Sequence, residues 1–291
     1  MLAPIVQALQ ALAPKVYHAI KQGDTHYTAH KNPTADLQLA VDVAVDHLIF
    51  GELMQTPSVG GVMSEEREEA HYKEKGDFLI AFDPLDGSSV VGANFLVGSI
   101  FGVYARPPLG FAEPQMARHI KMGAYLLYGA KLELVVANEA GVKHYVFNED
   151  KQEWHSKKDL TLKDKGKNIA PGGSWQHFNS EYVAFLMSFF KQGYRLRYSG
   201  SMVADIHHLL SKEGGLFCYP ATQDAPLGKL RKLFEVYPLA FVVEKAGGLG
   251  FEGTQEILNT PLNSLHDKSP CFLGSKVEME ALKQWMLTNK N

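Results

Sequence analysis

The sequence predicts an α+β unit followed by an α/β unit, and three observations carry that expectation. Two stretches with helical spacing of apolar residues, 3–21 and 37–54, precede a succession of short strand-like runs. A polar, lysine-rich stretch over 148–168 then interrupts the apolar pattern and places a boundary near residue 165. Beyond it, helical patterns at 179–191, 202–212, 229–246 and 277–288 alternate with strand patterns at 215–219 and 271–274, as in an α/β fold. A chain of 291 residues accommodates two units, 1–165 and 166–291, each within the usual domain range of about 100–200 residues.

In the first helix Leu2, Ile5, Val6, Leu9, Leu12, Ala13 and Val16 recur at intervals of three and four, the stripe of an amphipathic helix. No positive leading segment precedes it, and Gln7 and Gln10 break its apolar run, so it does not read as a secretory signal. The terminal Asn-Lys-Asn is no peroxisomal address, which leaves the cytoplasm as the expected location. The second helix opens on Asp36-Leu-Gln-Leu-Ala-Val-Asp42. Asp36 suits an N-cap as well as a site, whereas Asp42 stands among Leu39, Val41, Val43 and Val45, where a solvated role is less natural. Strand candidates follow at 78–82, 97–104, 124–128 and 132–137, each an apolar run bounded by turn residues.

Composition narrows the function. Lys and Arg number 29 against 32 Asp and Glu, a net charge of −3 that argues against a bulk nucleic-acid binder. The longest apolar stretch, 182–190 with Ser188 inside it, is far short of the roughly 18–20 residues of a membrane span. Cys218 and Cys271 make no disulfide framework and fit no close-spaced metal motif, so both read as buried thiols. The histidines read as surface or core residues.

The sharpest feature is Asp83-Pro-Leu-Asp86-Gly-Ser-Ser89 at the end of a buried strand. Two carboxylates on such a turn can converge on a hard cation, with the Leu85 carbonyl as a third oxygen donor. The amides of Gly87, Ser88 and Ser89 can form an anion-binding nest beside it. Glu65 and Glu66 follow another apolar run, and Glu235 interrupts Leu233-Phe-Glu-Val-Tyr237, where a lone buried charge is expensive. Together with Asp36 and Asp42 these make seven acids. Two like charges about 4 Å apart repel by about 4 kcal/mol at an effective dielectric near 20, so a convergent set needs cations or bound protons. Oxygen donors without His or Cys select Mg2+ or Mn2+ over Zn2+, and metal-assisted phosphoryl transfer to water is the matching chemistry. The signatures of cysteine phosphatases, aspartyl-phosphate enzymes, serine hydrolases and Walker ATPases are absent from the sequence.

In this order the acids resemble those of the lithium-sensitive, Mg-dependent phosphatase superfamily. Within it, the chain is most similar to class I fructose-1,6-bisphosphatases and sedoheptulose-1,7-bisphosphatases. The resemblance runs from about residue 30 to the C-terminus and rests on Phe82-Asp-Pro-Leu-Asp-Gly-Ser-Ser89, Val97-Gly-Ser-Ile-Phe-Gly102, Arg197-Tyr-Ser-Gly-Ser-Met-Val-Ala-Asp205, Gly228-Lys-Leu-Arg231 and Glu244-Lys-Ala-Gly-Gly248. It implies a layered αβαβα sandwich with the site between two subdomains. It also implies Glu65, Asp83, the Leu85 carbonyl, Asp86 and Glu235 as principal metal ligands, with Asp36 and Glu66 supporting a further metal and the attacking water. Asp42, Glu66 and Glu65 take the catalytic positions, and Asp86, Gly87, Ser88 and Ser89 those around the reacting 1-phosphate. Arg197, Tyr198, Tyr219 and Lys229 match the pocket for the sugar and its distal phosphate. The residue matching Arg197 reaches into a neighbouring subunit in the family, which implies a homodimer or homotetramer. The expected role lies in carbohydrate metabolism, in gluconeogenesis or the Calvin cycle.

Three departures stand against the family pattern. Pro171-Gly-Gly-Ser-Trp175 replaces an Asn-Glu-Gly-Tyr stretch and, with Phe234-Glu-Val-Tyr-Pro-Leu239, is more like the sedoheptulose enzymes. Trp175 keeps a stacking or N–H role open at that place. Val90-Val-Gly92 stands where polar residues often follow the Asp-Gly-Ser-Ser motif. Gly76-Asp77 stands where AMP-inhibited members carry Lys-Tyr, and the chain starts on its first helix without their nucleotide loop, so AMP inhibition is not expected. The regulatory cysteine pair of light-controlled plastid forms is likewise missing. The alternatives are an inositol-type monophosphatase, disfavoured by the distal-phosphate residues, and an inactive sugar-phosphate sensor, disfavoured by the complete acid set.

Overall fold

In the computed structural model, which describes residues 2–24, 26–31, 33 and 37–289, the N-terminal stripe forms α1 (Ala3–Gln22). Ile5, Leu9, Leu12, Ala13 and Val16 are buried along it, and Pro4 occupies the first turn, where a backbone N–H would have no helical partner. α2 (Ala40–Gln55) packs beside α1 and buries Val41, Val45, Ile49 and Leu53. It starts later than the 37–54 periodicity suggests, because β2 (Leu37–Leu39) pairs antiparallel with β1 (Tyr27–Lys31). Leu39 therefore stands at the N-cap of α2, and Asp36 lies outside the described residues.

An eight-stranded sheet follows: β3 (Val59–Ser64), β4 (His71–Tyr72), β5 (Phe78–Asp86), β6 (Val97–Ala105), β7 (Ile120–Tyr128), β8 (Leu132–Asn138), β9 (Gly141–Asn148) and β10 (Glu153–Ser156). Its spatial order is β10-β9-β8-β7-β6-β5-β3-β4, antiparallel except where β3 lies parallel to β5. β10 falls inside the lysine-rich stretch, where Trp154 donates its indole N–H to the Gln10 carbonyl at 3.0 Å. That stretch is thus partly an edge strand tied to α1, with one aromatic supplying the packing that composition conceals.

After 165 a five-stranded sheet contains β11 (Asn168–Pro171), β12 (Arg195–Leu196), β13 (Gly215–Tyr219), β15 (Leu249–Phe251) and β17 (Cys271–Gly274), in the order β12-β11-β13-β17-β15. The helices of this half are α4 (Ser180–Lys191), α5 (Met202–Ser211), α6 (Tyr237–Lys245) and α7 (Lys276–Thr288), while β14 (Leu230–Arg231) pairs with β16 (Lys268–Ser269). The expected helix over 229–246 is not continuous. β14 and a π-helical turn, Lys232–Val236, occupy its first part, and α6 then begins at Tyr237 with Pro238 in its first turn. A π-turn is wider than an α-turn and is commonly retained at functional sites.

Three apolar cores hold five layers together, the middle core lying on both sides of the central helices. Ile5, Leu9 and Val45 of the first two helices meet Val62, Ile80, Phe82 and Phe101 on one face of the large sheet. Leu79, Ala81, Tyr104 and Tyr125 point to the other face, into a core shared with Val203 and Ile206 of α5, Val242 of α6 and Phe217 of the small sheet. Ile169, Leu216 and Phe272 on the far side of that sheet meet Phe185 and Leu186 of α4 and Leu282 of α7. Strand alternation places successive β5 residues in different cores, so the buried run Phe78–Phe82 reads as continuously apolar. The result is the layered αβαβα sandwich expected from the sequence.

Candidate active site

The site forms where β3 and β5 end side by side. The parallel register pairs Ser64 with Phe82, and the Glu65 amide donates to the Phe82 carbonyl at 3.0 Å, so Glu65 and Asp83 emerge together. β5 then continues past the apolar run: Asp83 faces Ile100 and Asp86 faces Gly98, which leaves Pro84 and Leu85 opposite Ser99 alone. This bulge is pinned by Ser99 Oγ, which donates to the Pro84 carbonyl at 2.6 Å, and by the Leu85 amide, which donates to Asp83 Oδ1 at 2.9 Å. An extra residue in one strand re-aims its side chains, and here it turns both aspartates to the same place. The Leu85 carbonyl lies within the bulge, outside the paired register.

The π-turn brings Glu235 to the two aspartates. Asp83, Asp86 and Glu235 each place a carboxylate oxygen within 4.8 Å of the others. Glu65, Asp83, Asp86 and Glu235 are 7, 5, 7 and 5% exposed. The Asp86 carboxylate accepts from Ser201 Oγ at 2.6 Å, the Val203 amide at 2.8 Å and the Met202 amide at 3.2 Å, which fixes it on the N-terminus of α5. Gly87 has φ 84° and leads into the short helix α3 (Ser88–Val91). A Cβ at this glycine would stand 2.5 Å from the Ser201 Cβ, so backbone geometry and close approach both require Gly there. Ser88 is half-buried and Ser89 exposed beyond it.

Two site residues escape a reading of the sequence. Ser201 holds Asp86 from 115 positions away, a pairing no local pattern reveals. Arg231 Nη1 lies 2.6 Å from Glu65 Oε1 and 3.9 Å from Glu235 Oε2, and its amide donates to Glu235 Oε2 at 2.6 Å. Its signal was available: a cation four residues before a buried acid is the countercharge that acid needs.

Electrostatics follows the geometry. Burial raises the Glu65 carboxyl well above the usual range, against the pull of Arg231 and with the repulsion of Glu235, Glu66 and Asp86. Burial likewise raises Asp83, reinforced by Glu65, Asp86 and Glu235. Asp86 is raised by burial despite its three donors, and Glu235 is raised to about 7 by burial against Arg231. Asp42 lies on the first turn of α2, where its Oδ2 accepts from the Leu39 amide at 2.9 Å. Burial and then the neighbouring Glu66 charge raise it to about 7. Glu65 Oε2 and Asp42 Oδ1 are buried with no hydrogen-bond partner. Oxygen-only donors, unspent carboxylate oxygens and protons held against the ordinary acidity are what a hard divalent cation site presents, so these residues fit a metal of that class.

The residues expected around a distal phosphate divide into two groups. Tyr198 and Tyr219 lie side by side at Gly172, where an added Cβ would stand 2.4 Å from the Tyr219 ring and 3.1 Å from that of Tyr198. Tyr219 and the exposed Lys229 both lie within the field of Glu235, which ties this corner to the acidic pocket. A Cβ on Gly172 would come within 2.4 Å of the Tyr219 ring, so the glycine that departs from the family pattern is where the phenol now rests. Trp175 is exposed and its ring leans on Phe178. Arg197 is elsewhere: it is exposed and lines a cavity of about 280 Å³ with Lys163, Lys165, Lys167, Arg195 and Lys212.

Comparison with known proteins decides the family. Residues 1–159 match the fructose-1-6-bisphosphatase N-terminal domain and residues 162–287 its C-terminal domain. The chain belongs to the fructose-1,6-bisphosphatase family. The class 1 fructose-1,6-bisphosphatase of Helicobacter hepaticus is 45% identical over 286 residues, covering 98% of this chain and 99% of that one. The holo form of the Leishmania major fructose-1,6-bisphosphatase superposes with a TM-score of 0.90 at 29% identity, covering 97% of this chain and 93% of that one. A Toxoplasma gondii protein assigned as a sedoheptulose-1,7 bisphosphatase also gives 0.90, at 25% identity, over 99% of this chain and 95% of its own. As a member of the fructose-1,6-bisphosphatase family the chain is a phosphoric monoester hydrolase acting on sugar bisphosphates.

Proposed function

We propose that this enzyme removes the 1-phosphate of fructose 1,6-bisphosphate, sedoheptulose 1,7-bisphosphate or both, with Mg2+ as its metal and Mn2+ as a substitute. The supporting observation is the convergence of Asp83, Asp86 and Glu235 within 4.8 Å, with Tyr219 and Lys229 near enough to feel the Glu235 charge. Glu65, Asp83, the Leu85 carbonyl, Asp86 and Glu235 would hold the metal, with Asp36 and Glu66 serving a further ion. Bound there, the cation neutralises phosphate charge and weakens the bond to the sugar oxygen.

The chain's own residues supply the rest. Asp42 accepts a proton from the attacking water; a carboxyl near 7 is well matched to general base work at neutral pH, and Glu66 stands beside it. Glu65 shares this catalytic edge through its partnerless Oε2. Asp86, Gly87, Ser88 and Ser89 cradle the 1-phosphate, their rigidity coming from the α5 N-terminus and the turn at Gly87. Tyr198, Tyr219 and Lys229 receive the distal phosphate and the sugar through neutral and charge-assisted hydrogen bonds.

Arg197 completes that pocket in a neighbouring subunit, so the working form is a homodimer or homotetramer; its exposure on a cationic surface supports this. The two subdomains divide near residue 165, as 1–165 and 166–291. Among the described residues no helix is long and apolar enough to cross a membrane. We place the enzyme in the cytoplasm, in carbohydrate metabolism of the gluconeogenic or Calvin-cycle type, without usual AMP inhibition. Asp86→Asn tests the assignment: phosphate release should fall by orders of magnitude while the unfolding transition persists, and retained turnover would overturn it.

A further inference from the structure

A second convergence of metal-binding side chains lies away from the acidic pocket, on the face of the large sheet that packs against α5. Glu133 comes from β8, His144 from β9 and His207 from α5, and their ligand atoms lie within 4.8 Å of one another. His144 Nε2 is 2.9 Å and His207 Nε2 3.2 Å from the same oxygen, Glu133 Oε2. Antiparallel register sets His144 opposite Val135, so Glu133 is its diagonal neighbour on the same face. The two imidazole rings meet edge to face at 5.6 Å.

Several features distinguish this group from an ordinary surface ion pair. The three side chains are only 14–15% exposed, buried enough to be held and open enough for an ion to enter. Tyr125, fully buried on β7, places its hydroxyl 3.0 Å from His207 Nδ1. A ligating histidine almost always has its other ring nitrogen fixed by such an outer partner, which aims the free nitrogen inward. Ser211, one turn further along α5, puts Oγ 3.0 Å from His207 Nε2, a hydroxyl at the rim where a fourth donor or its water would stand. Burial opposes ionisation of Glu133, yet the hydrogen bond from His144 and the close His207 ring hold its carboxyl well below the usual range, so it is anionic.

Metal–donor bonds of about 2.0–2.2 Å in a tetrahedral site put neighbouring donors roughly 3.3 Å apart, close to the 2.9 and 3.2 Å between Glu133 and the two histidines. We propose that Glu133, His144 and His207 form a transition-metal site of the Zn2+ class, independent of the carboxylate pocket. Two imidazoles and one carboxylate favour Zn2+, Co2+ or Cu2+ over Mg2+, the reverse of the oxygen-only pocket. The ion would replace the direct Glu–His contacts and clip α5 to β8 and β9. Because the first residues of α5 hold Asp86, the clip fastens the same helix at its other end.

The test uses the full chain, stripped of metal, titrated with Co2+ in excess Mg2+. A tetrahedral nitrogen-containing site gives Co2+ strong visible absorption, whereas six-coordinate oxygen ligation gives little. One Co2+ per chain with intense bands, displaced by Zn2+, is expected, together with a Tm rise of about 5 °C at a hundredfold excess over Kd. His144→Gln and His207→Gln should each lose the bands and weaken binding at least tenfold, while Mg2+-dependent phosphate release measured without Co2+ or Zn2+ stays within twofold. Asp83→Asn should keep the bands. If His207→Gln fails to fold, His144→Gln carries the test, its side chain lying on a strand near the sheet edge. Absence of intense bands, bands unchanged in the histidine variants, or bands lost in Asp83→Asn would each overturn the site.

Discussion

Ser201→Ala isolates how much of the site depends on one hydroxyl supplied from the second half of the chain. Ser201 is fully buried, donates to Asp86 Oδ2 at 2.6 Å and accepts from the Ala204 amide at 3.4 Å as the N-cap of α5. A hydrogen bond to a charged partner contributes about 1.5–3 kcal/mol and an N-cap about 1 kcal/mol; the long Ala204 contact puts the cap at the lower end. A loss of about 2–3 kcal/mol is therefore expected, read by denaturant or thermal unfolding in the absence of metal. Asp86 keeps the amides of Val203 and Met202, so it stays in place but loses its shortest donor. That donor opposes the upward push of burial, so its removal raises the Asp86 carboxyl further. A proton held more tightly competes better with the cation. The Mg2+ concentration for half-maximal phosphate release should consequently rise about 10–100-fold at pH 7 and recover in part as the pH is raised. Unchanged stability together with an unchanged, pH-independent Mg2+ requirement would refute the role assigned to this contact.

Two further outcomes follow from the same geometry. Glu235 is raised to about 7 and Glu65, Asp83 and Asp86 are also raised, so the metal-free pocket carries protons that a cation must displace. Mg2+ addition to weakly buffered protein near pH 7 should release protons, and Mg2+ affinity should climb as the pH rises through that value; binding without proton release would contradict the raised carboxyls. Gly172→Ala places a methyl 2.4 Å from the Tyr219 ring and should displace the phenol, raising KM for a sugar bisphosphate severalfold while kcat changes less; an unchanged KM would remove Tyr219 from the distal pocket.

The layers were legible where α1, α4 and α5 carry an apolar stripe and β5 to β8 short apolar runs, less so where α2 sets Asp42 and Asp46 in its buried face and α6 is buried nearly all round. The sequence carried the acids well because a buried carboxylate is conspicuous among Leu, Val and Phe, as at Asp42 and Glu235. Contacts between distant segments were not legible. The bulge that turns Asp83 and Asp86 together depends on Ser99, and the clamp on Asp86 depends on Ser201; neither residue type announces a partner. The segment 229–246 misled for a related reason. Its apolar spacing suits a helix, but the chain first pairs Leu230–Arg231 as a strand and then widens into a π-turn that brings Glu235 beside Asp83 and Asp86. Glu133, His144 and His207 are ordinary residues in three separate elements, and only the sheet register and the seating of α5 bring them together.

The most direct measurement is phosphate release from fructose 1,6-bisphosphate, sedoheptulose 1,7-bisphosphate and inositol 1-phosphate, side by side, with Mg2+ and after its removal by chelation. Release from one or both bisphosphates, none from the monophosphate, and loss of activity without the cation are the predicted results. Preferred turnover of the monophosphate, or bisphosphate hydrolysis that persists without a divalent cation, would contradict the proposed metal site at Asp83, Asp86 and Glu235 with Tyr219 and Lys229 placed for a second phosphate.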